Sequence, residues 1–284
     1  MVEESPSTTL LGEQISVAPR QVLTISSQVA AGPVGNSAIV PALLALGMNP
    51  IAISTILLSN HPGHGKPEGM PVPADMLGAM LKRLIELSFI PEDAVILTGY
   101  FANAEQIDAV AAVIERLDQA FYICDPVLGD TPEGLYVAEG VAQGIKEKLL
   151  PMADVLTPNA FELGWLTGQD IPDKDAAHAA CRPTLWDKEV VVKSIAQDDA
   201  LVTAYFDDNI VKTFTRPKLA DVPHGTGDLL SGLIAGQLAL GSRLIDGLGL
   251  AIAQTERVIA VSAGTEALDL GAGLNDIASI TADG

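Results

Sequence analysis

The sequence predicts an α/β fold built on a mostly parallel sheet. Short apolar runs suited to strands alternate with segments whose apolar residues recur at helical spacing. The composition is 48% hydrophobic but only 4% aromatic, which suits an Ala/Leu/Val/Ile interior of helices laid on parallel strands. The 284 residues can bury one sizeable core, and no repeat, low-complexity tract or Pro/Gly-rich linker divides them. Residues 20–284 are therefore expected to form a single domain behind a loose tail, residues 1–19.

In chain order, QVLTISS (21–27) reads as a first strand, NSAIVPALLALG (36–47) as a helix and PIAISTILL (50–58) as a second strand. Residues 74–87 and 104–117 carry helical periodicity on either side of a strand at 93–100. FYIC (121–124), ADVL (153–156) and EVVVKS (189–194) are apolar runs that stop at polar residues. LVTAYFDD (201–208) and NIVKTFTR (209–216) suit an antiparallel hairpin, and long helices close the chain at about 226–241 and 243–265. Ligands of open parallel sheets lie off the carboxyl ends of the strands, so the residues that end each run are the candidates for chemistry. These are Ser27, the loop SNHPGHGKPEG (59–69), Tyr100, Asp125, Thr157 to Asn159, and Lys193 with Ser194.

The formal charge of −20 disfavours nucleic acid and anionic membrane as partners, since both would be repelled. A phosphate ligand must then be held by local dipoles, a metal and a few lysines. Cys124 and Cys181 are too few for a disulfide framework or a cysteine zinc site and read as reduced core thiols. The first residues lack the basic and apolar stretches of a signal peptide, and no run of 18 apolar residues occurs, so a cytoplasmic location is expected.

The stretch VPHGTGDLLSGL (222–233) carries the strongest chemical signal. Gly225, Thr226 and Gly227 lead into an apolar helical run, and the N–H groups and partial positive charge of a helix start suit an anion. Neither a dinucleotide-binding GxGxxG nor a P-loop is present: Leu230 stands where the last glycine is required, and Gly65–Lys66 is followed by Pro67. On these residues alone Asp228 reads equally as an acid that complements the helix dipole or as a group placed beside developing phosphoryl charge.

Taken in series, GPVGNSA (32–38), LLSNHPGHGKPEG (57–69), LTGY (97–100), DPVLGD (125–130), TPNAFELGWLTG (157–168) and GTGD (225–228) resemble the pyridoxal kinases of the ribokinase-like superfamily. The resemblance runs from about Gln21 to the last helix. It implies a three-layer α/β/α sandwich, ATP as phosphoryl donor, the 5′-hydroxyl of pyridoxal as acceptor, and a homodimer. It implies Mg²⁺, and raises a monovalent cation such as K⁺ as a further metal.

By that resemblance Asp228 is the base that accepts the alcohol's proton, and Gly225, Thr226 and Gly227 form the anion hole. Asp125, Asp130, Thr157, Asn159, Glu162, Lys193, Ser194, Thr226 and Gly227 fall on the ATP side, with Asp125, Glu162 and the backbone of Tyr136 near the metal. GDTPEG (129–134) is a candidate lid. Ser27, Val34, Ile56, His61, Pro62 and Tyr100 fall on the acceptor side, where either His61 or His64 is expected to touch the substrate. Two residues depart from the family pattern: Pro62 stands where many relatives have threonine, and His224 stands where some have lysine or an apolar residue. The alternatives are a hydroxymethylpyrimidine or sugar kinase of the same superfamily and, from another class, a non-catalytic B6-binding protein. The first would keep the phosphoryl-transfer residues, a sugar site would need more polar groups than Val34, Ile56 and Tyr100, and the last would be expected to lack Asp228 or the metal carboxylates.

Overall fold

The computed structural model describes residues 18–219 and 221–275. The tail expected over 1–19 lies, apart from its last two residues, outside the described residues. The chain opens with β1 (Val22–Ala31), α1 (Asn36–Ala45), β2 (Ile51–Asn60), the short edge strand β3 (Gly69–Pro71) and α2 (Ala74–Glu86). β4 (Val95–Thr98), α3 (Ala104–Ile114), β5 (Phe121–Cys124), the small strands β6 (Gly129–Asp130) and β7 (Gly134–Leu135), and α4 (Glu139–Gly144) follow. Then come β8 (Val155–Leu156), α5 (Ala160–Thr167), α6 (Lys174–Thr184), β9 (Glu189–Gln197), β10 (Ala200–Phe206) and β11 (Val211–Pro217), before α7 (Thr226–Ala239), α8 (Leu244–Val261) and α9 (Leu270–Leu274).

Nine strands form one sheet in the order β11-β10-β9-β8-β5-β4-β1-β2-β3, and β6 and β7 pair separately. The six strands from β9 to β2 are mutually parallel, while β3 and the β10–β11 hairpin add antiparallel edges. Successive residues of the inner strands serve opposite faces, as the twofold period of a strand requires. Ile96, Tyr122 and Val190 enter one core with residues of α2 to α6, whereas Val95, Ile123 and Val191 enter the other with residues of α1, α7, α8 and α9. Helices on both faces explain why the strands read as unbroken apolar runs. Among the described residues no helix is long and apolar enough to cross a membrane.

Helix α7 is the centre of the second core: every residue from Leu229 to Ala239 is buried. Burying Leu229 and Leu233 contributes about 2 kcal/mol each. Gly232 and Gly236 let α1 lie close, since a Cβ at 232 would meet the Ile39 backbone at 3.1 Å. The helix start at Thr226 is thus fixed by packing over its whole length.

β1 and β9 outrun their sequence expectation furthest among the strands. β1, expected to end at Ser27, continues to Ala31 because β2 pairs with it as far as Asn60. β9, expected to end at Ser194, continues to Gln197 because antiparallel β10 supplies ladder partners beyond the reach of β8. Each extension contains a register shift. Thr55 and Ile56 of β2 stand against Ser27 alone, and Lys193 and Ser194 of β9 stand against Thr203 alone. An extra residue on one strand bends it and re-aims its side chains. Ser194 has φ 55°, the left-handed region that a side chain seldom adopts.

Candidate active site

The order of strands reverses beside β1, with β4 on one flank and β2 on the other, and the carboxyl ends there outline the crevice in which such sheets bind ligands. On the β5–β9 side the sheet delivers Asp125, Thr157, Asn159 and Lys193 to one place. Asp125 follows β5 and is 3% exposed; the Lys193 ammonium donates to its Oδ1 at 2.8 Å and the Ser231 hydroxyl to its Oδ2 at 2.7 Å. Lys193 Nζ also lies 3.4 Å from Ser231 Oγ, which is 3.1 Å from Thr157 Oγ1. Burial works against the lysine's charge, but Asp125, Glu162 and Asp228 outweigh it and raise its pKa. The lysine that the sequence places at a buried strand end therefore has a carboxylate partner.

Asn159 caps α5, accepting from the Glu162 N–H at 2.8 Å, while Glu162 Oε2 accepts from the Asn159 N–H at 2.7 Å. This reciprocal capping box fixes the first turn. Glu162 Oε1 accepts in addition from the Leu128 N–H at 3.0 Å, and Asn159 Nδ2 donates to the Gly129 carbonyl at 2.8 Å, so the cap also holds the DPVLGD turn. Burial raises the Glu162 pKa to about 8; Lys193 opposes the rise, Asp125 adds to it, and the two N–H donors oppose it. The lid expected over 129–134 is the hairpin β6–β7, carrying exposed Asp130, whose Oδ1 accepts from the Thr131 N–H at 2.8 Å. Tyr136 follows it, 55% exposed, with its N–H on the Leu128 carbonyl at 2.8 Å.

Asp228 stands in the first turn of α7, half-buried, and accepts from the Gly35 N–H. Burial raises its pKa to about 6; the charge of Asp125 adds to this, while the Gly35 N–H and Lys193 oppose it. Gly225 caps the helix at φ 98°, and a Cβ there would collide with the Pro33 carbonyl. Only glycine lets the helix start rest directly on the turn after β1. Ser194 is exposed beside this group, past Lys193 at the register shift, and Gly227 lies near the Lys193 ammonium: a Cβ there would be 3.4 Å from Nζ.

At the β1–β2 end the sheet gathers Ser27, Val34, Ile56 and Tyr100, the residues expected on the acceptor side, around the other register shift. Ser27 is 7% exposed and pairs across the shift with Ile56; Val34 is half-buried in the turn that Gly35 closes against Ser27. The Tyr100 N–H donates to Ser26 Oγ at 3.2 Å and its carbonyl accepts from Thr55 Oγ1 at 2.7 Å; burial raises its pKa. His61 follows β2, and Pro62 to His64 form one 3-10 turn. Pro62 is exposed, and its carbonyl accepts from the Gly65 N–H at 3.0 Å, so this oxygen already has a partner.

Three residues without an assigned role in the sequence belong to this frame. Ser231 lies three residues beyond Asp228, one turn along the same helix face, which is the signal that marks it. Gly35 supplies the N–H to Asp228. Buried Asn36 accepts from Thr24 Oγ1 at 2.8 Å and donates to the carbonyls of Ser26 at 3.3 Å and Ile53 at 3.0 Å, joining α1 to both strands beneath the acceptor pocket.

A doubly covered parallel sheet with a carboxylate at a glycine-led helix start defines a small-molecule kinase of the ribokinase-like class. The phosphomethylpyrimidine kinase family model matches residues 33–277. The chain is 37% identical over 237 residues to a pyridoxine/pyridoxal/pyridoxamine kinase of Bordetella avium, covering 78% of this chain and 79% of that one. It is 31% identical to a pyridoxal kinase of Rubrobacter xylanophilus, covering 84% and 86%. Among solved structures, pyridoxal kinase from Entamoeba histolytica superposes with a TM-score of 0.85 at 26% identity, covering 91% of this chain and 95% of that one. A Leishmania donovani pyridoxal kinase in complex with ADP and pyridoxamine does so at 0.82 and 28%, covering 91% and 96%. The chain belongs to this kinase family, in its pyridoxal kinase branch.

Proposed function

We propose that the chain transfers the γ-phosphoryl group of ATP to the 5′-hydroxyl of a B6 vitamer, pyridoxal first among them. The observation that carries the reading is the setting of Asp228. It lies beside the N–H groups of Gly225 to Gly227, with a pKa raised to about 6, where a carboxylate is ionised at neutral pH yet basic enough to take a proton. The alcohol's proton passes to the Asp228 carboxylate as the oxygen attacks phosphorus. The α7 start and Lys193 stabilise the charge on the transferring group, and ADP leaves.

Mg²⁺ suits the nucleotide half on charge grounds. Asp125, Glu162 and Asp228 crowd one lysine, an excess of buried carboxylate that a cation would balance. Among the described residues no group of three or more His, Cys, Asp or Glu is placed to hold a metal ion. Mg²⁺ ordinarily keeps several waters and is bound through one or two carboxylates and substrate phosphates. Asp125 and, through water, Glu162 would hold it, with the Tyr136 backbone nearby; the ion supplies charge neutralisation on the phosphates. Asp130, Thr157, Asn159 and Ser194 complete the nucleotide side, with β6–β7 as its lid. Ser27, Val34, Ile56, His61 and Tyr100 receive the vitamer. The working form is a cytoplasmic homodimer, supported by the family resemblance and open to test by light scattering.

An acceptor panel tests the assignment. With ATP and Mg²⁺, ADP release is expected with pyridoxal, and turnover of pyridoxine and pyridoxamine ranks the vitamers. Release with a hydroxymethylpyrimidine and with no vitamer would move the chain to the pyrimidine kinase alternative.

A further inference from the structure

Three of the chain's four histidines meet at the rim of the acceptor side. The His61 N–H donates to the Ala31 carbonyl at 3.1 Å, and its Nδ1 accepts from the Gly63 N–H at 3.1 Å, which places the ring's proton on Nε2. The His224 ring lies over it, centroids 4.4 Å apart and planes 32° from parallel, within stacking range. His64 meets His61 edge-on at 6.1 Å, and its Nε2 lies 3.1 Å from the Glu266 carbonyl. Gly63 lies against the edges of both rings: a Cβ there would stand 2.9 Å from His61 Nδ1 and 3.1 Å from His224 Nε2.

His224 immediately precedes the Gly225 cap and lies four residues before Asp228. Its stack on His61 therefore ties the turn after β2 to the helix that carries the base. His61 is held neutral at this contact. The titratable groups that face His61 are His224 and His64, and burial, then His224, then His64, lower its pKa to about 4. A neutral His61 meets the His224 ring without the repulsion that two cations would bring.

We infer that His224 is a positioning residue for the vitamer: by stacking on His61 it holds the 61–65 turn against the start of α7, so that the acceptor pocket and Asp228 share one frame. The inference rests on the B6 kinase reading, under which His61 lies on the acceptor side. It locates a specificity-determining contact at a position where some relatives carry lysine.

Two variants, His224→Ala and His224→Phe, test it by kinetics at saturating ATP and by NMR titration of the His61 ring in the ligand-free protein. His224→Ala is expected to raise KM for pyridoxal about tenfold, with KM for ATP unchanged and kcat within about threefold, because the loss is of acceptor placement. His224→Phe keeps a flat ring and is expected to restore KM to within about twofold of the parent. In the Ala variant the His61 titration should move up from about 4 towards the ordinary imidazole value of 6.5, while in the Phe variant, which keeps the burial and loses only the charge of His224, it should move less. A parent-like KM and parent-like His61 titration in His224→Ala would overturn the inference. So would a Phe variant as impaired as the Ala variant, which would assign the effect to the ring nitrogens. A parent that turns over no B6 vitamer would overturn the functional reading instead, and the titration alone would then decide whether His224 holds His61.

Discussion

Lys193 and Asp125 meet at 2.8 Å as a buried ion pair on the side proposed for the nucleotide, whereas His61 and His224 meet as tilted rings, 4.4 Å between centroids, at the open rim proposed for the acceptor. The nucleotide half is bound by charge: a lysine, three carboxylates, Ser231 and a capping box whose every oxygen has a donor. The acceptor half is bound by backbone and amide hydrogen bonds through Asn36, Ser26 and Thr55, with apolar Val34 and Ile56 between them. Under the proposed function the difference follows the ligands. Polyphosphate needs compensating charge held in low dielectric, and a pyridine ring needs shape with a few directed donors. Asp228 lies at the seam, crowded by Asp125 and held by Gly35.

If the seam is the chemical centre, Asp228→Asn is the most damaging change. It keeps the side chain's size and removes the proton acceptor, and should lower kcat by about 10²–10⁴-fold while both KM values stay near the parent. Turnover within a few-fold of the parent, in protein whose melt shows it folded, would return Asp228 to the role of a dipole acid worth about 1 kcal/mol at most.

Lys193→Met tests whether charge holds the nucleotide half. It leaves the Asp125 carboxylate buried without its partner, and a chemical denaturation curve should show a loss of about 3–5 kcal/mol. A loss under about 1 kcal/mol would mean that water or Ser231 already compensates Asp125. Ser27→Ala on the acceptor side removes no charge, so a comparable loss there would erase the contrast.

The pH profile is the next smaller effect. If Asp228 is the base it works ionised, and burial together with Asp125 raises its pKa to about 6, so kcat/KM should be level above that pH and fall about tenfold per unit below it. An acid limb centred near 4 would show that Asp228 is not the group titrating.

Glu162→Gln is expected to be milder. Its amide group cannot accept both N–H bonds, at a cost of about 1 kcal/mol in a thermal melt. The Mg²⁺ needed for half-maximal rate should rise several-fold, with KM for pyridoxal unchanged. An unaltered metal titration would leave Glu162 as the capping acid alone.

The layers of this fold were legible because apolar runs and helical periods are local signals: β5 and the hairpin β10–β11 lie close to where the sequence puts them. GTGD likewise announced a helix start with a carboxylate in its first turn. The Asp125–Lys193–Ser231 network was not legible, since its members are 68, 38 and 106 residues apart and only the sheet order brings them together. The stack of His224 on His61 is hidden for the same reason. The extended ends of β1 and β9 were missed because a register shift breaks the alternation by which a strand is recognised, at Ser27 and at Lys193–Ser194.

Those two shifts make the fold and the site separable by deletion. Where two residues face one, losing one of the pair restores an even ladder and leaves the residues beyond it on their original faces. A chain shortened by Ser194 should therefore still fold into the same nine-stranded sheet, with β10 and β11 in place, while the lysine beside the gap turns away from Asp125. An insertion or loss of one residue is ordinarily the surest way to ruin a strand. At these two points the loss of one residue is expected to leave a stable fold while disturbing the site, so folding and activity could be lost separately there.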